Sequence, residues 1–360
     1  MGYCKSPPVH SIFISRKNGE GNNMTEQNNQ ILQEDEETPI ELKDLKPGDI
    51  LIFDGEEGSI ISDLIMLFTK SKVTHGALFV QNGDEAALAD SGECGISMHL
   101  VTSVPEARGV HVRRLTKEGG FGDDYDKIVA PVVDIARDYA RQGLPYPYSD
   151  LVLLAMIIIF KDVSNVALTY PNVIKLLQVV AAELKTLIDE KFHDGKHTMV
   201  CSSFVYQCFL DASKDNPDLK LNIKNGDAQA PLKAKRSATL FDLYAEHAAE
   251  YNYNTQRFAE AKTAPVTESI EEILKNLVDK ENKNHVNLIK SNALSNAIEE
   301  FLKVLLKAAG IVVNSIEELI ENAKMQQALF VTPNDLYCHT TNTVSVGKVP
   351  LDRNGDIYNP

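Results

Sequence analysis

The sequence predicts an α+β fold, and three observations lead to this prediction. Short apolar segments bounded by turn residues recur between positions 50 and 115, which is typical of strands joined by tight turns. Apolar residues with helical spacing then continue from position 125 to position 212. Residues 226–325 are charged and helix-forming without strand signals, so they predict a helical insertion or cap.

The predicted strands follow one another with clear turn signals. Pro47-Gly48-Asp49 precedes the first strand, and Asn82-Gly83 is typical of a tight hairpin. The strands are predicted at 50–54, 73–80, 86–91 and 109–115. A β-rich character returns at 327–337 and 343–349, so we expect the chain to re-enter the core after the helical insertion.

Helical periodicity begins after Ser59, which we predict to be the N-cap of the first helix. Gly143 and Pro145 end a second helical pattern. The later helices are predicted at 125–142, 151–160, 173–188 and 201–212.

These elements divide the chain into four parts. Residues 1–38 are polar and poor in aromatic side chains, which predicts a disordered tail and leaves Met24 as an alternative start. Residues 39–225 are the predicted catalytic domain, and residues 226–325 are the helical insertion or cap. Residues 326–360 are expected to return to the catalytic core and to end in a C-terminal tail.

Charge and cysteine content argue against several classes of protein. The 51 Asp and Glu residues outnumber 36 Lys and Arg residues, for a net charge of −15, so nucleic acid is not an expected partner. The five cysteines are odd in number and widely spaced, which fits free thiols in a reducing cytoplasm. Residues 1–30 lack the apolar stretch of a signal peptide, and the apolar run at 151–160 is too short to span a bilayer.

The N-terminus carries a lipidation pattern. Gly2 with Ser6 matches the N-myristoylation motif, and Cys4 is a candidate for palmitoylation. Two acyl chains would anchor the protein stably to a membrane, whereas one would bind only reversibly. The alternative is a chance match, which the bulky Tyr3 favours. The expected location is the cytoplasm, with membrane association as the alternative.

Cys201 opens a predicted helix and is therefore a candidate nucleophile. The helix macrodipole favours a thiolate at this position. The unpaired backbone N–H groups of Cys201 and Ser202 are candidates for holding an oxyanion. The alternative is an inert buried cysteine, which is the interpretation we prefer for Cys208 in the middle of the same helix.

His75 and Asp90 are candidates for the base and its orienting carboxylate. Counting outward from a turn at Asn82-Gly83 places the two residues nearly opposite each other across the hairpin. A carboxylate at that place would fix the tautomer of the imidazole, as in a catalytic triad. A half-buried strand histidine is the alternative interpretation. Gly76 would let another element approach closely.

Together these segments resemble the permuted NlpC-type papain-fold enzymes, the YiiX-like group. The resemblance is carried by KPGDILI at 46–52, SIISDLI at 59–65, FTKSKVTHGA at 68–77 and VCSSFVY at 200–206. It covers about 44–215 and extends to VTPNDL at 331–336. The histidine precedes the cysteine, which is the permuted order. The stretch between 147 and 201 is unusually apolar, and the Asn-Cys-Glu-His motif of the related lecithin retinol acyltransferases is absent.

The resemblance implies a circularly permuted papain-like fold with an antiparallel sheet packed on helices. It also implies that Cys201 is the nucleophile and His75 the base. The third polar residue of this family follows on the next strand, where Asp90 stands, with Glu85 and Glu93 as weaker candidates.

Other chemistry finds little support in the sequence. His193 and His197 are four residues apart, but Gly195 between them argues against a helix and no third metal ligand is evident. Acidic neighbours disfavour a reactive thiolate at Cys94. No phosphate-binding loop or dinucleotide motif is present. We therefore predict neither a metal nor a cofactor.

The predicted function is a cysteine hydrolase (amidase, peptidase or esterase) that works through a thioester on an acyl or peptide substrate. The alternative is an acyltransferase that moves a fatty acyl group to an amine or hydroxyl. Residues 151–160 and 173–188 would then line an acyl pocket, although core packing also explains them. A secreted effector inside a host cell fits the absent export signal. The second alternative is a non-catalytic interaction protein on a degenerate enzyme fold.

Overall fold

The protein has an α+β fold in which helices pack on a seven-stranded antiparallel sheet. This computed structural model describes residues 37–92, 95–105, 107–142, 149–163, 166–191, 199–224, 239–250, 266–278, 292–326 and 330–358. Several predicted features lie outside these residues: most of the 1–38 tail with Gly2, Cys4 and Met24, and also Glu93, Cys94, His193 and His197.

Strands from the first third of the chain form the centre of the sheet, and strands from its last part form the two edges. The spatial order is β6-β5-β1-β2-β3-β4-β7. The strands are β1 (Ile50–Asp54), β2 (Val73–Asn82), β3 (Glu85–Gly92), β4 (Gly95–Thr102), β5 (Gly109–Leu115), β6 (Thr343–Pro350) and β7 (Asp352–Tyr358). The four strands predicted before position 120 are confirmed, as is the strand predicted at 343–349.

Three features differ from the prediction. Strands β4 and β7 were not predicted. Apolar and polar residues do alternate from Ile96 to Leu100 in β4, so this signal was overlooked, whereas β7 is polar and lacks such an alternation. The β-rich prediction for 327–337 is wrong over its described part, residues 330–337, which contains no strand and runs into one turn of π-helix at Asp335–His339. Asp335 accepts hydrogen bonds from the main-chain N–H and the hydroxyl of Thr332, which hold the start of this turn in place.

The hairpin between β2 and β3 turns one residue later than predicted. Asn82 pairs with Glu85, so Gly83 and Asp84 form the two-residue turn, and Gly83 adopts a φ of +58° that suits glycine. The sequence had indicated that His75 lies nearly opposite Asp90. In the observed register it does not. Asp90 lies two residues from that position, which keeps it on the same face of the sheet because side chains alternate with a period of two.

The helices that follow the predicted pattern are confirmed with small changes of boundary. They are α1 (Ile60–Thr69), α2 (Tyr125–Gln142), α3 (Ser149–Phe160), α4 (Tyr170–Lys191) and α5 (Cys201–Ala212). The later helices are α6 (Leu240–Glu250), α7 (Ile270–Lys275), α8 (Asn292–Ala308) and α9 (Ile316–Met325). Ser59 caps α1 as predicted, since its side chain accepts a hydrogen bond from the Ser62 main-chain N–H.

The core has a sheet side and a helical side. Helices α2 and α5 cover one face of the sheet, where Phe204 and Phe209 are fully buried. A second core joins α1, α3 and α4 to the helices after position 240. Helix α3 is apolar on every side, and it lies at the centre of this helical core, as expected for a helix without a polar face. None of the described helices is both long and apolar enough to cross a membrane.

Candidate functional site

Cys201 is the first residue of α5, as the sequence predicts. Its N-cap residue, Val200, offers no side-chain hydrogen bond to the helix. The positive end of the helix dipole therefore points at the start of the helix, where Cys201 and Ser202 lie. Cys201 is 1% exposed and belongs to the helical core. Its side chain is thus shielded from water and lies at the positive end of the helix dipole.

Two hydrogen bonds fix the approach to this helix. Ser91 on β3 donates from Oγ to the carbonyl of Met199, and Ser202 donates from Oγ to the carbonyl of Val331 at 2.7 Å. All four residues are buried. They connect the start of α5 to the sheet on one side and to the segment before the π-helical turn on the other.

Gly76 lets α5 come close to the sheet. A Cβ atom at this position would lie 3.6 Å from the Cα of Ser202 and 3.3 Å from Cδ1 of Leu336. A Cβ atom would therefore be in ordinary contact with the first turn of α5 and in tight contact with Leu336, which leaves a larger side chain little room. The close approach that the sequence suggested is present, and it places the helix start beside His75.

His75 lies on β2, just after a bulge in its pairing with β1. Its Nε2 is 2.8 Å from Oδ2 of Asp90, and its ring makes an edge contact with Phe53 at 5.6 Å between centroids. The side chain of Cys201 is within hydrogen-bonding reach of the same ring. Because Nε2 is engaged with Asp90, Nδ1 is the nitrogen left for the sulfur. The structure thus brings the three predicted residues together.

Charge balance strongly favours the protonated form of His75. Burial alone would lower the pKa of this ring. The negative charge on Cys201 and the hydrogen bond to Asp90 outweigh burial and raise the His75 pKa to about 10. At neutral pH the site therefore holds an imidazolium beside the sulfur of Cys201. A cationic ring in that place favours the thiolate that a cysteine–histidine pair uses as nucleophile.

Asp90 is fully buried and joins several charged groups. Burial would raise its pKa, but the charge of Arg353 and the hydrogen bond from His75 lower the pKa to about 2. Its Oδ1 has no hydrogen-bond partner among the residues that the structure describes. Nε2 of His99 is 3.5 Å from that oxygen and is 2.8 Å from Oγ of Ser97. Burial lowers the pKa of His99.

Arg353, like His99, is a residue of this site that sequence reasoning missed. It lies on β7, 263 positions from Asp90, and it donates from Nη2 to Asp90 Oδ2. Its own strand was not predicted, so no sequence signal placed it near the cysteine. The same nitrogen is 3.4 Å from Nε2 of His75.

The other predicted candidates lie elsewhere. Glu85 is next to the hairpin turn, at the opposite end of β3 from Asp90, so this alternative for the third residue is wrong. Cys208 is fully buried in the sheet-side core, and burial raises the pKa of its thiol well above the ordinary value. Within the described ranges, no group of three or more His, Cys, Asp or Glu residues could hold a metal ion.

No protein-family model matches this sequence, and no curated protein is significantly similar to it. Membership of the permuted NlpC-type group therefore stays a prediction from the motifs. The functional argument depends on the geometry of Cys201, His75 and Asp90.

Proposed function

We propose that the protein is a cysteine hydrolase of the permuted papain-like type, which cleaves an amide or ester through a thioester on Cys201. The observation that carries this proposal is the position of the His75 ring, which contacts the thiol of Cys201 and the carboxylate of Asp90 at once. A cysteine at a helix start, a base and an orienting acid are the parts that acyl transfer to a thiol requires. The order of the chain, histidine strand before cysteine helix, is that of a permuted fold.

The proposed reaction begins with attack of the Cys201 thiolate on the carbonyl carbon of the substrate. The negative charge that develops on the carbonyl oxygen is held by the backbone N–H groups of Cys201 and Ser202. The His75 imidazolium gives its proton to the leaving amine or alkoxide, and the thioester forms. His75 then takes a proton from water, the resulting hydroxide attacks the thioester, and the thiolate leaves. Asp90 keeps the ring oriented throughout.

An acyltransferase is the second candidate, and one observation favours it. Cys201 belongs to the apolar core formed by the helices and is almost completely shielded from solvent. Exclusion of water protects a thioester from hydrolysis and lets an amine or hydroxyl accept the acyl group instead. The same apolar surroundings suit a fatty acyl donor. The two candidates share every step up to the thioester.

The experiment that tests both candidates is trapping of the acyl-enzyme by intact-protein mass spectrometry. The wild-type protein is mixed with acyl thioesters, aryl esters and peptides, and the mass added to Cys201 identifies the donor class. The expected adduct is absent from Cys201→Ala and strongly reduced in His75→Ala. Cys208→Ala is the matched control, because it removes a buried thiol from the same helix, and it keeps the adduct.

The acceptor is identified in the same reaction. Addition of a primary amine or an alcohol gives an acylated acceptor if the protein is a transferase and leaves free acid if it is a hydrolase. A thiol-reactive probe separates both from a non-catalytic protein. Labelling of Cys201 that is no faster than labelling of the exposed Cys338, and that is unchanged in His75→Ala, contradicts the enzyme proposal.

A further inference from the structure

Strand β7 brings a permanent cation to the acid of the proposed triad. Arg353 pairs with Val101 of β4, and its guanidinium donates to Oδ2 of Asp90, the oxygen that His75 also contacts. The Arg353 side chain is 35% exposed, whereas Asp90 is not exposed at all. The cation therefore reaches the carboxylate from the partly open side of the site.

The proton between a buried carboxylate and an imidazole can lie on the ring nitrogen or on the carboxylate oxygen. Burial disfavours the carboxylate anion and would move the proton from the ring to the oxygen. A neutral pair of that kind would leave the imidazole uncharged and withdraw the positive charge that favours the thiolate. An arginine cannot give up its proton in this pH range, so its charge at Oδ2 opposes that transfer.

We propose that Arg353 is a positioning residue of the Cys201 site, which keeps Asp90 ionised and thereby holds the proton on His75. The inference rests on the proposed function and goes further, because it makes the C-terminal strand a part of the site. Arg353 acts through Asp90, and its approach to His75 is to Nε2, the ring nitrogen that already faces Asp90, at 3.4 Å.

The other charged groups around Asp90 do not take over this role. His99 on β4 faces Oδ1 at 3.5 Å, but burial lowers its pKa, so it is neutral near pH 7. Cys201 on α5 brings no positive charge to the carboxylate. Arg108, which precedes β5, donates to the carbonyl of Asp54 and to Oγ1 of Thr74, 2.6 Å away, instead of to Asp90. Among the residues that the structure describes, Arg353 is therefore the cation that contacts the carboxylate in addition to His75 itself.

The test is the pH profile of Cys201 alkylation by iodoacetamide, followed by peptide mass spectrometry. In Arg353→Gln we expect the acid side of the profile to move up by about one pH unit. This shift corresponds to a rate about tenfold lower on the acid side, with little change at the alkaline plateau. Arg353→Lys keeps the charge and is expected to stay within about twofold of the wild type. A change in access to the buried thiol would instead change the alkylation rate by the same factor at every pH.

The matched control is Arg114→Gln. Arg114 forms a buried pair with Asp49 through Nε and Nη2, both at 2.6 Å, at the other end of β1 from the site. Its loss is expected to lower stability without moving the profile. If Arg353→Gln fails to fold by circular dichroism, Arg353→Met, which retains a long apolar side chain, replaces it.

Two outcomes overturn the inference and leave the proposed function intact. One is that the pH profile of Cys201 alkylation in Arg353→Gln or Arg353→Met superimposes on the wild-type profile, while His75→Ala changes that profile. The other is an equal shift in Arg353→Lys and in the neutral variant, which would assign the effect to shape and not to charge. Slow wild-type alkylation that is insensitive to His75→Ala instead counts against the cysteine–histidine pair itself.

Discussion

Ser91 on β3 donates a hydrogen bond to the carbonyl of Met199, two residues before Cys201. Its neighbour Asp90 makes the contact to His75. Two consecutive residues of one strand therefore hold both partners of the proposed reactive pair. The sheet fixes the cysteine relative to the histidine through this short segment, and the hydrogen bond can be removed without touching either reacting group.

Substitution Ser91→Ala is expected to lower the free energy of unfolding by about 1–2 kcal/mol, because the buried Met199 carbonyl loses its donor. Alkylation of Cys201 at neutral pH should also slow, since the start of α5 is less firmly placed. Urea denaturation and thiol labelling measure the two effects. Ser213→Ala is the control, because Ser213 also donates to a main-chain carbonyl, that of Leu210 at 2.7 Å, at the far end of α5. Equal labelling of both variants would contradict the role given to Ser91.

The carboxylate of Asp90 should stabilise the fold at neutral pH and lose this effect in acid. The folded-state pKa of about 2 lies below the ordinary value of 3.8, so the contribution is complete above about pH 4 and disappears as the pH falls through 2. Its size is roughly 2 kcal/mol. The free energy of unfolding, measured by denaturation between about pH 5 and 2, should fall more steeply with decreasing pH for the wild type than for Asp90→Asn. Asp138→Asn, which alters an exposed ion pair, should keep the wild-type slope.

His75 should remain protonated well above neutral pH. Its raised pKa of about 10 makes its contribution to stability complete below the ordinary value of 6.5, and the contribution is lost as the pH rises through 10. NMR titration of the ring nitrogens measures this directly. In Cys201→Ala the pKa should fall, because the negative charge that raises it is gone, whereas Cys208→Ala should leave it in place. A wild-type midpoint near 6.5 is the result that contradicts the ion pair.

Gly76 should be intolerant of larger side chains. Gly76→Val is expected to cost about 1–3 kcal/mol and to slow Cys201 alkylation, because the added atoms push the first turn of α5 away from β2. Gly92 on β3 is the matched control, since a Cβ there meets nothing within 4 Å. Gly92→Val should be neutral or slightly stabilising. Thermal unfolding and thiol labelling of the pair distinguish packing at the helix start from a general effect of branched residues in the strands.

The hairpin shows how a site can be predicted in spite of an error in register. The Asn-Gly dipeptide predicts a turn one residue earlier than the one observed, and the predicted partner of His75 is therefore two residues off. Asp90 still reaches the ring, because an error of two residues leaves a side chain on the same face and diagonal neighbours remain within reach. Local patterns were sufficient for His75, Asp90 and Cys201, whose elements each have a clear signal of their own.

Arg353 and its strand had no such signal. The segment Asp352–Tyr358 is polar and contains an internal Gly355, so it lacks the alternation that predicts a strand. Pairing with β4 is a long-range event, and β4 itself was not predicted. The π-helical turn at Asp335–His339 was missed for a related reason, because Asp335 pairs with Lys161, which follows α3 and lies far away in the chain. Contacts between distant segments decided both features.

The order of the site residues along the chain determines when each of them becomes available during translation. Residues 75, 90 and 201 leave the ribosome long before residue 353, which reaches Asp90 only when β7 adds to the edge of the sheet. A nascent chain therefore carries Cys201, the proposed nucleophile, before the cation of Arg353 can contact Asp90. An early-folding intermediate would contain the cysteine in a less reactive state, and full reactivity would arrive with the last strand.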